Sequence, residues 1–206
     1  MIQGSEAWFA ARRGALGASG INDALATTKI GGEAATRRNL RAKLIAERMT
    51  GISGEGYTNA AMQWGIDYEP IARAIYENLT GNDVEQVGFI LHPEIKLTGA
   101  SPDGLVLHNG LIEIKCPNTS THIDYLLGGN APAQYQHQML WQMECTGREW
   151  CDFVSYDPRM PEELQLFVVR FNRDADRLNT MRQGIIKFLD EINETIEKLE
   201  LIKKGK

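Results

Sequence analysis

The sequence predicts a mixed β-sheet flanked by helices, an α/β fold. Three observations carry that prediction. Short runs rich in branched residues cluster in the middle of the chain: GFILH (88–92), GLVLH (104–108), LIEIK (111–115), CDFVSY (151–156) and LQLFVVR (164–170). Helical periodicity lies on both sides of them. It ends in residues 174–202, where Leu178, Met181, Ile185, Phe188, Ile192, Ile196 and Leu199 recur at spacings of three and four. The resulting order is helices, a strand cluster, a helix, two strands and a helix, which suits a sheet covered by helices.

Taken in order, residues 19–25 predict a short helix with Ser19 as its N-cap. Residues 35–49 predict a helix with Leu40, Leu44, Ile45 and Met49 on one side, stopped by Gly51. Residues 58–79 predict a longer helix with Ile71, Ile75 and Leu79 in register. Pro70 should kink it or start a new helix there, and Gly81-Asn82 should close it. Asn109-Gly110, between two strand-like runs, is a two-residue hairpin signal. Residues 132–145 predict a helix, and Asp157-Pro158-Arg159 joins the last two strands.

The 206 residues suffice for one core and are short for two, so a single domain spanning 1–206 is expected. No apolar run of about 18 residues exists and the N-terminus lacks the apolar stretch of a signal peptide, so no membrane association is expected. Cys116, Cys145 and Cys151 are odd in number and lack metal-ligand spacing, which fits a reducing cytoplasm. The net charge of -5 argues against DNA binding through bulk charge. Its distribution complicates that argument: residues 1–50 carry eight Lys/Arg against four Asp/Glu, and a folded chain can present a local basic site whatever its total charge.

The chemistry is concentrated in Ser101-Pro102-Asp103-Gly104 and, with nine residues intervening after Asp103, Glu113-Ile114-Lys115. Side chains two apart on a strand share a face, so Glu113 and Lys115 point one way while Ile112 and Ile114 point the other. The hairpin returns Glu113 towards Asp103. Two such carboxylates are hard oxygen ligands suited to Mg²⁺ or Mn²⁺, and an adjacent ammonium can orient water or offset charge on a phosphate. The bland alternative is an exposed Glu–Lys pair worth about 0–1 kcal/mol. The upstream Pro-Asp tips the balance towards a hydrolytic metal site acting on a phosphodiester.

Pro-Asp followed by Glu-x-Lys resembles the PD-(D/E)xK nucleases. The likeness narrows with Arg12…Gly14…Ala18-Ser19, Trp64-Gly65…Tyr68-Glu69, Ser101-Pro102-Asp103-Gly104-Leu105, Gly110-Leu111…Glu113…Lys115-Cys116-Pro117, Thr119-Ser120, Leu127-Gly128-Gly129, Gln136…Gln138 and Tyr156-Asp157-Pro158-Arg159-Met160. In that order and spacing, these blocks resemble the phage lambda exonuclease family of viral recombination enzymes over roughly residues 8–190.

The resemblance implies a restriction-endonuclease-like core. It implies a Mg²⁺-dependent exonuclease that degrades the 5′-ended strand of linear duplex DNA, leaving a 3′ single strand. It further implies a ring-shaped homotrimer, a single-strand annealing partner and action in the cytoplasm of a bacterial host. Carried over, Asp103, Glu113 and the Ile114 carbonyl would hold the metal. Lys115 would assist the attacking water, Gln136 would orient water or phosphate, and Glu69 would sit at the metal's edge. Arg12, Ser19 and Ser101 would hold the terminal 5′-phosphate. Where the family has a basic residue after Thr-Ser, this chain has Thr121, with His122 beside it as a substitute. Where it has an acid ten positions before the motif Asp, this chain has Pro93, next to Glu94.

Other residues have plainer readings. Arg37, Arg38, Arg41 and Lys43 read as a solvated helix face. Trp141 and Trp150 read as core, Cys116 as a buried small hydrophobe, and the four histidines show no zinc spacing. Two rival functions remain: a structure- or sequence-specific endonuclease on the same core, and a non-catalytic DNA-end clamp that recruits an annealing protein.

Overall fold

The structure, a computed structural model, describes residues 3–53 and 59–205. Helix α1 (Glu6–Arg12) is capped by Ser5, whose side chain accepts from the Trp8 N–H. A two-residue strand β1 (Leu16–Gly17) follows, then a 3₁₀ turn at Ala18–Gly20 and the short helix α2 (Ile21–Ala24). Ser19 therefore lies inside the turn and is not the N-cap expected of it. Helix α3 (Ala35–Thr50) ends on Gly51 in the left-handed region, as expected.

Helix α4 (Ala60–Thr80) is capped by Asn59, and the expected first residue, Thr58, lies outside the described residues. It runs through Pro70 with no new start and stops at Gly81. Its buried face is also not the expected one. Ile71 and Leu79 are exposed, while Ala72, Arg73 and Tyr76 are buried. The reason is polar: the Tyr76 hydroxyl donates to Asp152 at 2.8 Å, which turns that face to the sheet.

The strands are β2 (Val84–Glu85), β3 (Ile90–Leu91), β4 (Thr98–Ala100), β5 (Gly104–Val106), β6 (Gly110–Lys115), β7 (Trp150–Tyr156) and β8 (Leu166–Asn172). Five form a mixed sheet in the order β2-β5-β6-β7-β8, with β6 and β7 parallel and the other pairs antiparallel. Three form a small sheet in the order β1-β4-β3.

The β5–β6 hairpin is real, but its turn is not Asn109-Gly110. Val106 pairs with Gly110, so Leu107, His108 and Asn109 make the connection, with Leu107 at a φ of 52°. Gly110 serves packing instead, because a Cβ there would lie 2.1 Å from the Trp150 ring.

Helices α5 (Thr119–Gly128) and α6 (Ala133–Thr146) connect β6 to β7, and α7 (Ala175–Lys204) closes the chain. The sheet's two faces pack differently. Leu111, Cys151 and Phe153 meet α6 and α7 in the larger core, through Met139, Leu140, Ile185 and Phe188 among others. Ile112, Ile114 and Val154 meet Ala72 and Tyr76 of α4. Trp141 and Trp150 are core, as expected. Arg37 and Arg41 are not merely solvated: both pair with Glu33 and with Glu191, tying α3 to α7.

Candidate active site

Strand alternation places the central residues. On β6, Ile112 and Ile114 enter the core facing α4, so Glu113 and Lys115 project to the other face, where α6 lies. Asp103 stands one residue before β5, whose Gly104 pairs with Ile112. That register brings Asp103 beside Ile114, and its Oδ2 accepts the Ile114 N–H at 2.7 Å. The carbonyl of a strand residue points to the same edge as its N–H. The Ile114 carbonyl therefore faces the edge that carries Asp103, beyond the end of the β5 ladder. Gly104 permits the approach of β2, since a Cβ there would lie 2.1 Å from Val84.

Glu113 is fully buried. Its Oε1 accepts from Lys115 Nζ and from Gln138 Nε2 at 2.6 Å, and its Oε2 accepts from Gln142 Nε2 at 2.6 Å. Three of a carboxylate's four lone-pair positions are thus filled and one, on Oε2, stays open. Asp103 keeps Oδ1 without a hydrogen bond among the described residues. The donor set is two carboxylate oxygens and one backbone carbonyl. All are hard oxygens, which fits a small divalent cation that retains several waters. Among the described residues, no group of three or more His, Cys, Asp or Glu side chains is arranged around a common point.

The charges reinforce this reading. Burial and the nearby Glu113 carboxylate push the Asp103 carboxyl well above its usual range. Burial works against the Lys115 ammonium, but Glu113 and Asp103 outweigh it and hold it raised. Burial raises Glu69 as well, against Arg73 and Lys115. Glu69 feels this centre, yet its side chain is paired with Arg73, one turn along α4. Cys116 is half-buried, with its thiol pushed up to about 12 chiefly by burial, which leaves it inert as a nucleophile.

One cavity of about 180 Å³ joins this centre to the basic N-terminal segment. Arg12, Ser19, Ser101, Asp103, Glu113 and Lys115 all line it, as does Gln138. The parallel pairing of Leu16 with Thr98 and Gly17 with Gly99 is what brings the first segment alongside Ser101. Arg12 is half-buried, and its guanidinium makes no hydrogen bond or ion pair among the described residues. Burial lowers it, Glu47 opposes from a distance, and its guanidinium lies 4.0 Å over the Trp8 ring. A desolvated cation with unused donors, lining the same cavity as two hydroxyls, has the chemistry that suits an anion.

Three expected site residues lie elsewhere. Gln136 faces the wrong side of α6, donating to the Ala131 carbonyl and accepting from Arg177. Gln138 occupies the place expected of it. The Thr121 N–H donates to Oδ1 of Asn118, the N-cap of α5, and Thr121 does not line the cavity. His122 is buried and committed to Ser155 Oγ at 2.7 Å and the Leu164 carbonyl at 2.8 Å, so neither can replace a basic residue in the cavity. Glu94 is exposed and outside it.

Trp8 lines the same cavity and is a residue that sequence reasoning missed. Its indole N–H donates to Ser101 Oγ at 2.9 Å while its ring supports Arg12. The spacing of four between Trp8 and Arg12 on a helix was the available signal.

Residues 7–149 match the YqaJ-like viral recombinase domain. Two crystal structures of LHK-Exo, an alkaline exonuclease from Laribacter hongkongensis, are 47% identical over 98% of this chain and 99% of theirs. Their TM-scores are 0.91 for a complex with dAMP and 0.90 for the other. A phage-related exonuclease from Haemophilus somnus 129PT has the same fold at TM-score 0.72 and 15% identity, covering 90% of this chain and 96% of that one. No curated protein matches.

Proposed function

The chain belongs to the YqaJ-like viral recombinase family, and on that premise we propose that it is a Mg²⁺-dependent 5′→3′ exonuclease acting on linear double-stranded DNA. It leaves a 3′ single strand for annealing-type recombination. The observation that carries this reading is the shared cavity: the carboxylate pair with Lys115 and the unpaired Arg12 with its hydroxyls line one space. Its likeness to an alkaline exonuclease at 47% identity over nearly the whole chain supports a nuclease.

Asp103, Glu113 and the Ile114 carbonyl would hold the cation, with Mn²⁺ as a substitute. When bound, the cation supplies positive charge to offset the negative charge developing on the scissile phosphate. Arg12, Ser19 and Ser101 hold the terminal 5′-phosphate by charge-assisted and hydroxyl hydrogen bonds. Lys115 keeps its proton at Nζ and orients the attacking water beside Glu113. Gln138, on the cavity wall, orients that water or a phosphate oxygen. Glu69 adds negative charge at the rim.

The 206 residues carry one nuclease core, so encircling duplex DNA requires several copies, and a homotrimer with an annealing protein as partner fits the family's recombination role. No helix among the described residues is long and apolar enough to cross a membrane, and we place the enzyme's work in the bacterial cytoplasm.

The anchor is tested by Arg12→Ala on linear duplexes ending in 5′-phosphate or 5′-hydroxyl. A charge-assisted hydrogen bond is worth about 1.5–3 kcal/mol, so the preference for the phosphorylated end should fall by about 10–150-fold. Equal losses on both ends would remove Arg12 from the anchor.

A further inference from the structure

We infer that Gln142 is a positioning residue that fixes the Glu113 carboxylate for the cation, an inference that rests on the metal-dependent reading above. Gln142 is 0% exposed and does not line the cavity, so it can reach neither DNA nor solvent. It has one partner on its amide nitrogen, Glu113 Oε2, at 2.6 Å. Its amide oxygen is buried with no hydrogen bond among the described residues.

A buried amide left half unsatisfied destabilises the fold. An apolar side chain of the same length would avoid that cost at this place in α6. What the amide supplies is direction. Lys115 and Gln138 both hold Oε1, and both stand at the cavity. Without Gln142 the carboxylate would be held at one oxygen and could rotate about it. With Gln142, four residues below Gln138 on the same helix face, the group is gripped at both oxygens and its plane is set. The position left open on Oε2 then has a fixed direction. Partners behind a ligand typically change metal affinity or activity by about 10–100-fold when removed.

The test replaces Gln142 by methionine, which keeps the unbranched shape and removes the donor. Mn²⁺ binding is measured by calorimetry on the DNA-free protein, together with the Mg²⁺ concentration for half-maximal digestion. The expected result is a folded protein whose Mn²⁺ Kd and Mg²⁺ requirement both rise by about 10–100-fold. The same change is made in a Glu113→Gln background, where Gln142→Met strips no partner from a buried carboxylate, so this pair decides the matter if the single variant does not fold. There Gln142→Met should add nothing to the loss of Mn²⁺ affinity. Unchanged metal affinity in Gln142→Met, or an equal further loss in the Glu113→Gln background, would overturn the inference. A wild-type protein that binds no Mn²⁺ would instead overturn the metal-dependent reading itself.

Discussion

Asp103→Asn should abolish hydrolysis, by about 10³-fold or more, and leave the metal-free protein at least as stable as wild type. The activity loss exceeds the 10–100-fold typical of residues behind a ligand because Asp103 supplies one of only two carboxylates in the donor set. The stability expectation comes from its raised carboxyl. A carboxyl raised in the folded state binds its proton more tightly there than in the unfolded chain. Metal-free stability therefore declines as pH rises from the ordinary carboxylate range through the raised value. Asparagine removes that decline, and its side-chain oxygen can still accept the Ile114 N–H. Thermal melts in chelator at pH 5 and pH 8 check this. The gain over wild type should be larger at pH 8.

Lys115→Met should lower hydrolysis by about 10²–10⁴-fold, the range for a group that handles a proton or orients water in the transition state. Its effect on stability should have the opposite sign. The ammonium offsets Glu113 and Asp103, and removing it leaves two buried carboxylates against each other. The metal-free melting temperature should fall, and Mg²⁺ should restore more of it than in wild type. Two variants that lose activity alike and move stability in opposite directions distinguish a charged centre from a generally damaged fold. Melting curves with and without Mg²⁺ give the readout.

The meeting of Asp103, Glu113 and Lys115 was legible in the sequence because strand alternation is a short-range rule. Glu113 and Lys115 had to share a face, and a hairpin had to return them towards Asp103. The turn residues were not legible: Asn109-Gly110 carries the usual chemistry, but Gly110 is claimed by the Trp150 ring and the turn moves back to Leu107–Asn109. Gln136, expected to orient water or phosphate, bonds to Ala131 and Arg177 off the cavity that Gln138 lines. The run from Met139 to Cys145 is buried throughout and includes Gln142 and Glu144, so polarity alone does not show which face of α6 turns to the cavity.

Helix α5 went unrecognised because Thr119, Thr121 and Ile123 are weak helix formers, and only the Asn118 cap marked its start. Arg12, Ser19 and Ser101 are brought to one cavity by a two-residue strand pairing of Leu16-Gly17 with Thr98-Gly99. No periodicity shows in so short an element, so the likeness to a family reached those residues where local pattern could not.

The central claim is that one cavity combines a metal-dependent hydrolytic centre with an anchor for a DNA end. Its most direct test is release of acid-soluble nucleotides from linear duplex and from a covalently closed circle of the same sequence, in Mg²⁺ and in chelator. Release is expected from the linear duplex in Mg²⁺ only, with the circle intact. Release in chelator would contradict the metal centre, and cutting of the closed circle would contradict dependence on an end.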